Sequence, residues 1–310
     1  LIRVNSVGIC GSDTHYYEHG RIGRFVVEQP IILGHEASGV IEAVGENVTG
    51  RSVGQRVSIE PGVPDLSCPQ CLAGRYNLCS EMRFFATPPI DGAFTEQVVV
   101  HEAFAHPVPD TISDDAAALI EPLSVGIWAC QKGAVTAGSR VLITGAGPVG
   151  LVSLQAALAF GAQKVYVSDV NPSRLALATE LGASQTINPQ LDSLSDLAIP
   201  PDVLLECSGF ASAIVEGIRA LDRAGRAVLV GMGGDEVPMP LSVVQEKELT
   251  LTGTFRYANT WPIAIALVAS GRIDLDRLVT GSYGLDQVEE ALTAGRRDTH
   301  AIKVIVHPNA

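Results

Sequence analysis

The sequence predicts an α/β chain: a doubly wound parallel sheet preceded by a smaller, mainly β domain. Three observations predict it. Four aliphatic or β-branched residues, Val141 to Thr144, are followed by three glycines and then by an uncharged helical stretch, Leu151 to Ala162. From about Leu123 onward, strand-like runs alternate with helical patterns, as parallel βαβ units do. Before that, about 110 residues rich in Gly, Val and Ile fall into short runs broken by turns, the pattern of an irregular β domain.

The 310 residues suffice for two domains. Boundaries are expected at 1–122 for the first domain and 123–258 for the second. Residues 259–310 read helix, short strand, helix, strand, the last strand (Ala301 to Val306) returning to the first domain's sheet. With 46% hydrophobic and 18% charged residues the chain is globular rather than disordered. The net charge of −13, with no basic patch, argues against nucleic acid and anionic membranes as partners. The 23 uncharged residues from Val141 to Gln163 are long enough to span a membrane, but a G-A-G-P-V-G turn interrupts them. No signal peptide is visible. The chain opens at Leu1, already inside a strand-like pattern and without Met, and is read as N-terminally incomplete, which leaves room for a leader upstream.

In the first domain, Val53 to Ile59 and Phe94 to Val100 are expected strands. Cys10, in G-I-C-G-S-D, would by itself be read as a small buried hydrophobe. His35 and Glu36, in L-G-H-E-A-S-G, form a polar pair inside an apolar, small-residue stretch, and Glu121 is an isolated acid in A-L-I-E-P-L-S-V-G. Burying such groups is costly unless something pairs with them. Zn²⁺ accepts all these donor types, and a catalytic zinc keeps three protein ligands and one open position. Four candidates therefore leave Glu36 or Glu121 as the extra acid, and the sequence leaves that choice open. A second cluster, Asp65-x2-Cys68-x2-Cys71-x7-Cys79, has the spacing of a closed structural zinc site holding a loop too short to bury a core. Six cysteines, three of them at metal spacing, point to a reducing compartment, read as the cytoplasm.

In the second domain, Gly145, Gly147 and Gly150 follow the strand in G-x-G-x-x-G order. Such glycines permit a tight turn, a close approach of backbone to a pyrophosphate, and helix packing against the strand. The next strand, Lys164 to Ser168, ends at Asp169, placed to accept hydrogen bonds from the adenosine ribose and to repel a 2′-phosphate, so NAD is favoured over NADP. The competing reading of Asp169 is a cap for the helix near Pro172. Further strands are expected at Val203–Cys207, Ala227–Val230 and Thr250–Thr254. Their carboxyl ends would put Cys207-Ser208-Gly209 and Val230-Gly231-Met232 beside the coenzyme. Arg174 is a candidate for the adenine edge, and Arg256 and Tyr257, after Phe255, can bind hydroxyls at a strand end. Cys130 and Cys207 read as packed core thiols.

Taken together, V-G-I-C-G-S-D-T-H-Y-Y, L-G-H-E-A-S-G, A-L-I-E-P-L-S-V-G, G-A-G-P-V-G and F-R-Y-A-N-T-W-P make the chain resemble the zinc-containing medium-chain dehydrogenases, and among them the polyol (sorbitol, xylitol, arabinitol) branch. The resemblance covers essentially the whole chain. It implies a GroES-like catalytic domain beside a Rossmann coenzyme domain, oxidation of a polyol to the ketose with hydride transfer to NAD⁺, and a homo-oligomer, tetramer or dimer. It implies Cys10, His35 and Glu36 as catalytic zinc ligands, with Glu121 contacting the zinc water or replacing it. Tyr16, Glu121, Arg256 and Tyr257 match polyol-contact positions, and Phe85 is expected to line the pocket. Val149, Asp169, Arg174, Val230 to Met232 and Phe255 to Tyr257 match coenzyme contacts. Ser12 and His15 match a proton relay. Asp65 stands where many relatives have the first of four structural cysteines, which implies a Cys3Asp site. The competing readings are a zinc alcohol or threonine dehydrogenase and a non-catalytic NAD-binding relative such as a lens crystallin. Retention of Cys10, His35, Glu36 and Glu121 together speaks against the last.

Overall fold

The computed structural model describes all residues, Leu1 to Ala310, as two compact units: Leu1–Glu121 with Ala258–Ala310, and Pro122–Tyr257. The chain is α/β, one unit mainly β, the other a doubly wound parallel sheet. No helix is long and apolar enough to cross a membrane.

The first unit is built on a seven-stranded sheet. Its spatial order runs Val279–Gly284, Lys303–His307, Ile2–Gly8, Glu36–Ile41, Arg56–Ile59, Ala105–Pro107, with Gln97–Val98 also pairing Ile2–Gly8. The strand Ile2–Gly8 is therefore flanked by an early partner and by the chain's last strand, both antiparallel to it. Its alternating apolar residues Ile2 and Val4, with Val7, pack into one core with Ile41, Val57, Val304 and Val306. The register sets Gly8 opposite both Glu36 and Ile305. The end of the first strand, the start of the Glu36 strand and Lys303 thus meet at one end of the sheet.

Two expected strands are shorter than anticipated. Only Gln97–Val98 forms within Phe94 to Val100, because the N–H groups of Gly92, Ala93 and Phe94 are spent on the carbonyls of Ile32, Gly34 and Leu33. Val53 to Ile59 begins as strand at Arg56, since Gly54 turns the chain at φ +86°.

The second unit holds a six-stranded, all-parallel sheet. Its order is Gln185–Ile187, Lys164–Ser168, Arg140–Thr144, Val203–Glu206, Arg226–Leu229, Thr250–Gly253. The edge strand Gln185–Ile187 is short and polar and carries no alternation that would reveal it. The helix after the glycine turn runs Pro148–Ala159, earlier than the uncharged stretch suggests. Proline at its start needs no N–H partner, and Gly161, at φ +92°, lets the chain leave its far end.

Candidate functional site

The register just described brings Cys10, His35 and Glu36 together. Cys10 lies two residues beyond the first strand, and His35 immediately precedes the strand that Glu36 opens. One ligand atom from each lies within 4.8 Å of the others. Zinc bonds of about 2.0–2.3 Å would bring such donors only slightly closer, so the thiolate, imidazole and carboxylate set fits this metal. A Cβ on Gly8 would lie 2.1 Å from a Glu36 carboxylate oxygen, so only glycine there leaves room for that side chain.

Two buried charges, neither singled out from sequence, hold the cluster. Asp13 accepts the backbone N–H groups of Gly34 and Cys10, each at 3.0 Å, and so ties the two ligand loops to each other. Its Oδ1 lies 3.4 Å from His35 Nδ1, which leaves Nε2 to face a metal, the arrangement that fixes a ligand imidazole's tautomer. Burial disfavours the Asp13 carboxylate, but His35 and the two N–H groups hold it below its ordinary range. Lys303 gives its Nζ to both Glu36 oxygens, at 2.6 and 2.7 Å, and to the Ile9 carbonyl at 2.9 Å. Burial works against that ammonium, and the charges of Glu36 and Cys10 more than offset it, with Glu121 adding to them. Glu121 is buried at the start of the Ile120–Lys132 helix, outside the three-residue ligand cluster but close enough for Lys303 to feel its charge. The Phe84 ring packs 5.8 Å from that of His35.

Asp65, Cys68, Cys71 and Cys79 form a second four-donor cluster with the same 4.8 Å spread. Cys68 caps the short Pro69–Leu72 helix, its sulfur accepting the Cys71 N–H. Asp65 Oδ1 accepts the N–H groups of Cys68 and Ser67, which keep its carboxyl far below the usual range and its charge in place. Three sulfurs and one carboxylate suit a closed tetrahedral zinc site.

In the second unit, a Cβ on Gly150 would meet the Gly145 carbonyl at 1.8 Å, and Gly145 itself turns at φ +90°. Gly147 caps the helix with open space before it, a cradle for an anion at a helix N-terminus. Asp169 accepts the Ala146 N–H at 2.6 Å and the Asn171 N–H at 2.8 Å, so it braces the glycine turn as well as facing the cavity. That cavity, about 910 Å³, is lined by Gly145, Gly147, Asp169, Arg174, Cys207 and Ser208 among others. Arg174 Nε is buried without a hydrogen-bond partner. These features fit a dinucleotide. Glu206, missed in the sequence, is fully buried and accepts the N–H groups of Ser208 and Gly209, fixing the turn they form.

The other candidates are not brought into these clusters. Val149, Val230, Gly231, Met232, Phe255, Arg256 and Tyr257 do not line the cavity. Met232 is exposed, three residues beyond the Arg226–Leu229 strand. Arg256 lies over the Phe255 ring at 4.9 Å, and Tyr257 is buried. Tyr16 is buried on the Gly11–His19 helix, whereas Phe85 and Ser12 are half-buried. His15 is exposed and packs edgewise on His19.

The family model for the alcohol dehydrogenase GroES-like domain matches residues 1–110, and that for zinc-binding dehydrogenase matches residues 148–270. The sorbitol dehydrogenase of Mus musculus is 44% identical over 314 residues, covering 99% of this chain and 88% of that protein. The sorbitol dehydrogenase of Bacillus subtilis (strain 168) is 43% identical over 317 residues, covering 100% and 90%. Among solved structures, L-idonate 5-dehydrogenase from Escherichia coli superposes with a TM-score of 0.93 at 34% identity, covering 99% of this chain and 90% of that one. The 2R,3R-butanediol dehydrogenase of Bacillus subtilis gives 0.92 at 32%, covering 99% and 92%.

Proposed function

The chain belongs to the zinc-dependent medium-chain dehydrogenases, and we propose that it oxidises a polyol of the sorbitol, xylitol or L-arabinitol type to the ketose, reducing NAD⁺. In the balanced reaction the carbinol carbon gives a hydride to the nicotinamide and its hydroxyl gives a proton to solvent. The observation that carries this reading is the buried Cys10–His35–Glu36 cluster in a chain 44% identical to a sorbitol dehydrogenase over nearly its whole length.

Zn²⁺ held by Cys10, His35 and Glu36 would supply Lewis acidity, of the kind that brings the pKa of water from about 15.7 to about 7, and bound NAD⁺ would supply the hydride acceptor. The chain's own residues do the remainder. Asp13 orients the His35 ring, and Lys303 with Gly8 fixes the Glu36 carboxylate. Glu121 is the buried carboxylate assigned to hold the departing proton, with Ser12 and His15 as its route to water. Tyr16, Phe85, Arg256 and Tyr257 are assigned to the polyol. Gly145, Gly147, Gly150, Asp169 and Arg174 are assigned to the coenzyme, with Val149, Val230 to Met232 and Phe255 to Tyr257 beside it. Asp65, Cys68, Cys71 and Cys79 are assigned to a structural zinc. Six cysteines, none of them in a disulfide, fit the reducing cytoplasm, and a dimer or tetramer is the assembly proposed.

The test is direct. The protein is mixed with NAD⁺ and xylitol, sorbitol, arabinitol, threonine or ethanol, and NADH absorbance is followed with and without a zinc chelator. Chelator-sensitive NADH formation with a polyol is the expected result. Turnover of ethanol or threonine alone would replace the polyol reading with that substrate class.

A further inference from the structure

One surface helix of the first unit carries three metal-ligating side chains that neither donor cluster uses. The Gly11–His19 helix buries Asp13 and Tyr16 and leaves His15 and His19 exposed. The two histidines stand four residues apart and Glu18 stands three after His15, so the three share one helical face. The imidazole rings meet edge to face with centroids 4.6 Å apart, and His19 Nε2 lies 3.7 Å from Glu18 Oε2. Histidines at i and i+4 on one helix bind zinc in proteins of unrelated fold, because that spacing sets two ring nitrogens within reach of one ion.

Glu18 supplies an independent observation. Its side chain is only 14% exposed. Its Oε2 is paired with the Arg296 guanidinium, on the Val288–Arg297 helix, whereas Oε1 is buried with no hydrogen-bond partner. A buried carboxylate oxygen without a partner is costly and rare, and a cation shared with the histidines would satisfy it. The helix is also fixed in place. The Thr14 hydroxyl donates to the Leu292 carbonyl at 3.1 Å, and the Tyr17 hydroxyl donates to Glu289 Oε1 at 2.5 Å. Glu18 and His19 lie in its last turn, where the negative end of the helix dipole favours a cation. Arg296 already neutralises one Glu18 oxygen, so the affinity comes chiefly from the imidazoles. Imidazoles select Zn²⁺, Ni²⁺ and Cu²⁺ over Mg²⁺ and Ca²⁺.

We propose that His15, Glu18 and His19 form a third metal site, outside both donor clusters, that takes a divalent transition ion. The site does not depend on the polyol reading. His15 is also assigned to the proton's route, so the variants fall on Glu18 and His19.

Zinc-loaded protein, freed of loose metal by gel filtration, is titrated with NiCl₂ by isothermal titration calorimetry. The pH is about 7.5, where an ordinary histidine is neutral. Nickel and zinc are then counted, nickel being distinguishable from the zinc of the two clusters. The expected result is about one Ni²⁺ per chain with the zinc content unchanged, and no comparable heat with MgCl₂. Losing a residue that merely supports a metal ligand typically costs about 10–100-fold in affinity, and losing a ligand costs at least as much. His19→Ala should therefore weaken Ni²⁺ binding at least about tenfold, and Glu18→Gln, which keeps one carbonyl oxygen, by a smaller factor. His101→Gln, a change at an exposed histidine in another loop, should leave binding within about twofold of wild type.

Binding that His19→Ala or Glu18→Gln leaves untouched would overturn the proposal. So would a loss as large in His101→Gln, which would mean scattered surface histidines rather than a site. Nickel gained only against an equal loss of zinc would put the ion in the donor clusters and overturn it as well, as would MgCl₂ binding as tightly as NiCl₂. Circular dichroism checks the fold of each variant, and if Glu18→Gln loses it, His19→Ala against His101→Gln decides. The readout is metal binding alone, so its failure and that of the polyol reading are distinguishable.

Discussion

Glu36 spends both carboxylate oxygens on Lys303, a residue 267 positions away. The pair is almost wholly buried, with side chains 1% and 3% exposed. Removing one partner of such a pair costs about 3–5 kcal/mol, because the other charge is left unpaired in a low-dielectric setting. A metal cation beside Glu36 would offset part of that. Lys303→Met should therefore destabilise the zinc-stripped protein by about 3–5 kcal/mol in denaturant unfolding and the zinc-loaded protein by clearly less. Equal losses in the two forms would count against Glu36 as the metal-facing acid. Asp13 illustrates the same logic from the other side. Its charge is kept by two backbone N–H groups and His35, so the ligand loops are held before any metal arrives.

Among the elements, the cysteine loop draws little of its stability from apolar burial. Leu66, Leu72 and Leu78 are all exposed, and what converges in its interior is the four-donor cluster. A closed metal site contributes folding energy outright to such a segment. Cys71→Ser is expected to lower bound zinc from about two to about one per chain, the remaining ion being the catalytic one. Limited proteolysis should then cut within residues 65–79 before any other segment. Unaltered zinc stoichiometry in that variant would show that the loop holds no metal. The glycine turn is an element of the opposite kind, needing no metal. Its shape follows from a 1.8 Å conflict between any Cβ at Gly150 and the Gly145 carbonyl, and from the brace that Asp169 supplies to Ala146.

At the scale of the whole molecule, the last strand completes a sheet begun by the first. Lys303–His307 lies between Val279–Gly284 and Ile2–Gly8, and contributes Val304, Ile305 and Val306 to the interior. Three such side chains stabilise by about 5–9 kcal/mol at about 1.5–3 kcal/mol each, comparable with a domain's entire margin of about 5–15 kcal/mol. Deleting 303–310 should leave the first unit unfolded, with no bound zinc, as read by near-UV circular dichroism and metal analysis. A folded, zinc-replete truncation would refute this account of the sheet.

Much of this was legible in the sequence because it is local. The G-x-G-x-x-G spacing, the strand that precedes it and the acid that ends the next strand lie within 29 residues, Val141 to Asp169, and their meaning depends on backbone geometry over that span. The Cys68–Cys71–Cys79 spacing is local in the same way. The shortened Phe94 to Val100 strand was not legible, since its hydrogen bonds were diverted by residues about 60 positions earlier, Ile32 to Gly34. Nor were Asp13 and Lys303, which look like any helix-start acid and any strand lysine until the sheet register sets them beside His35 and Glu36. The sequence by itself determined the two folds and which residue types could hold a metal or a dinucleotide, because periodicity and spacing are properties of the chain. Only the tertiary structure set Glu36 within reach of Cys10 and His35 and supplied Lys303 to offset its burial, because a buried charge is tolerated only through partners that the fold brings from far along the chain.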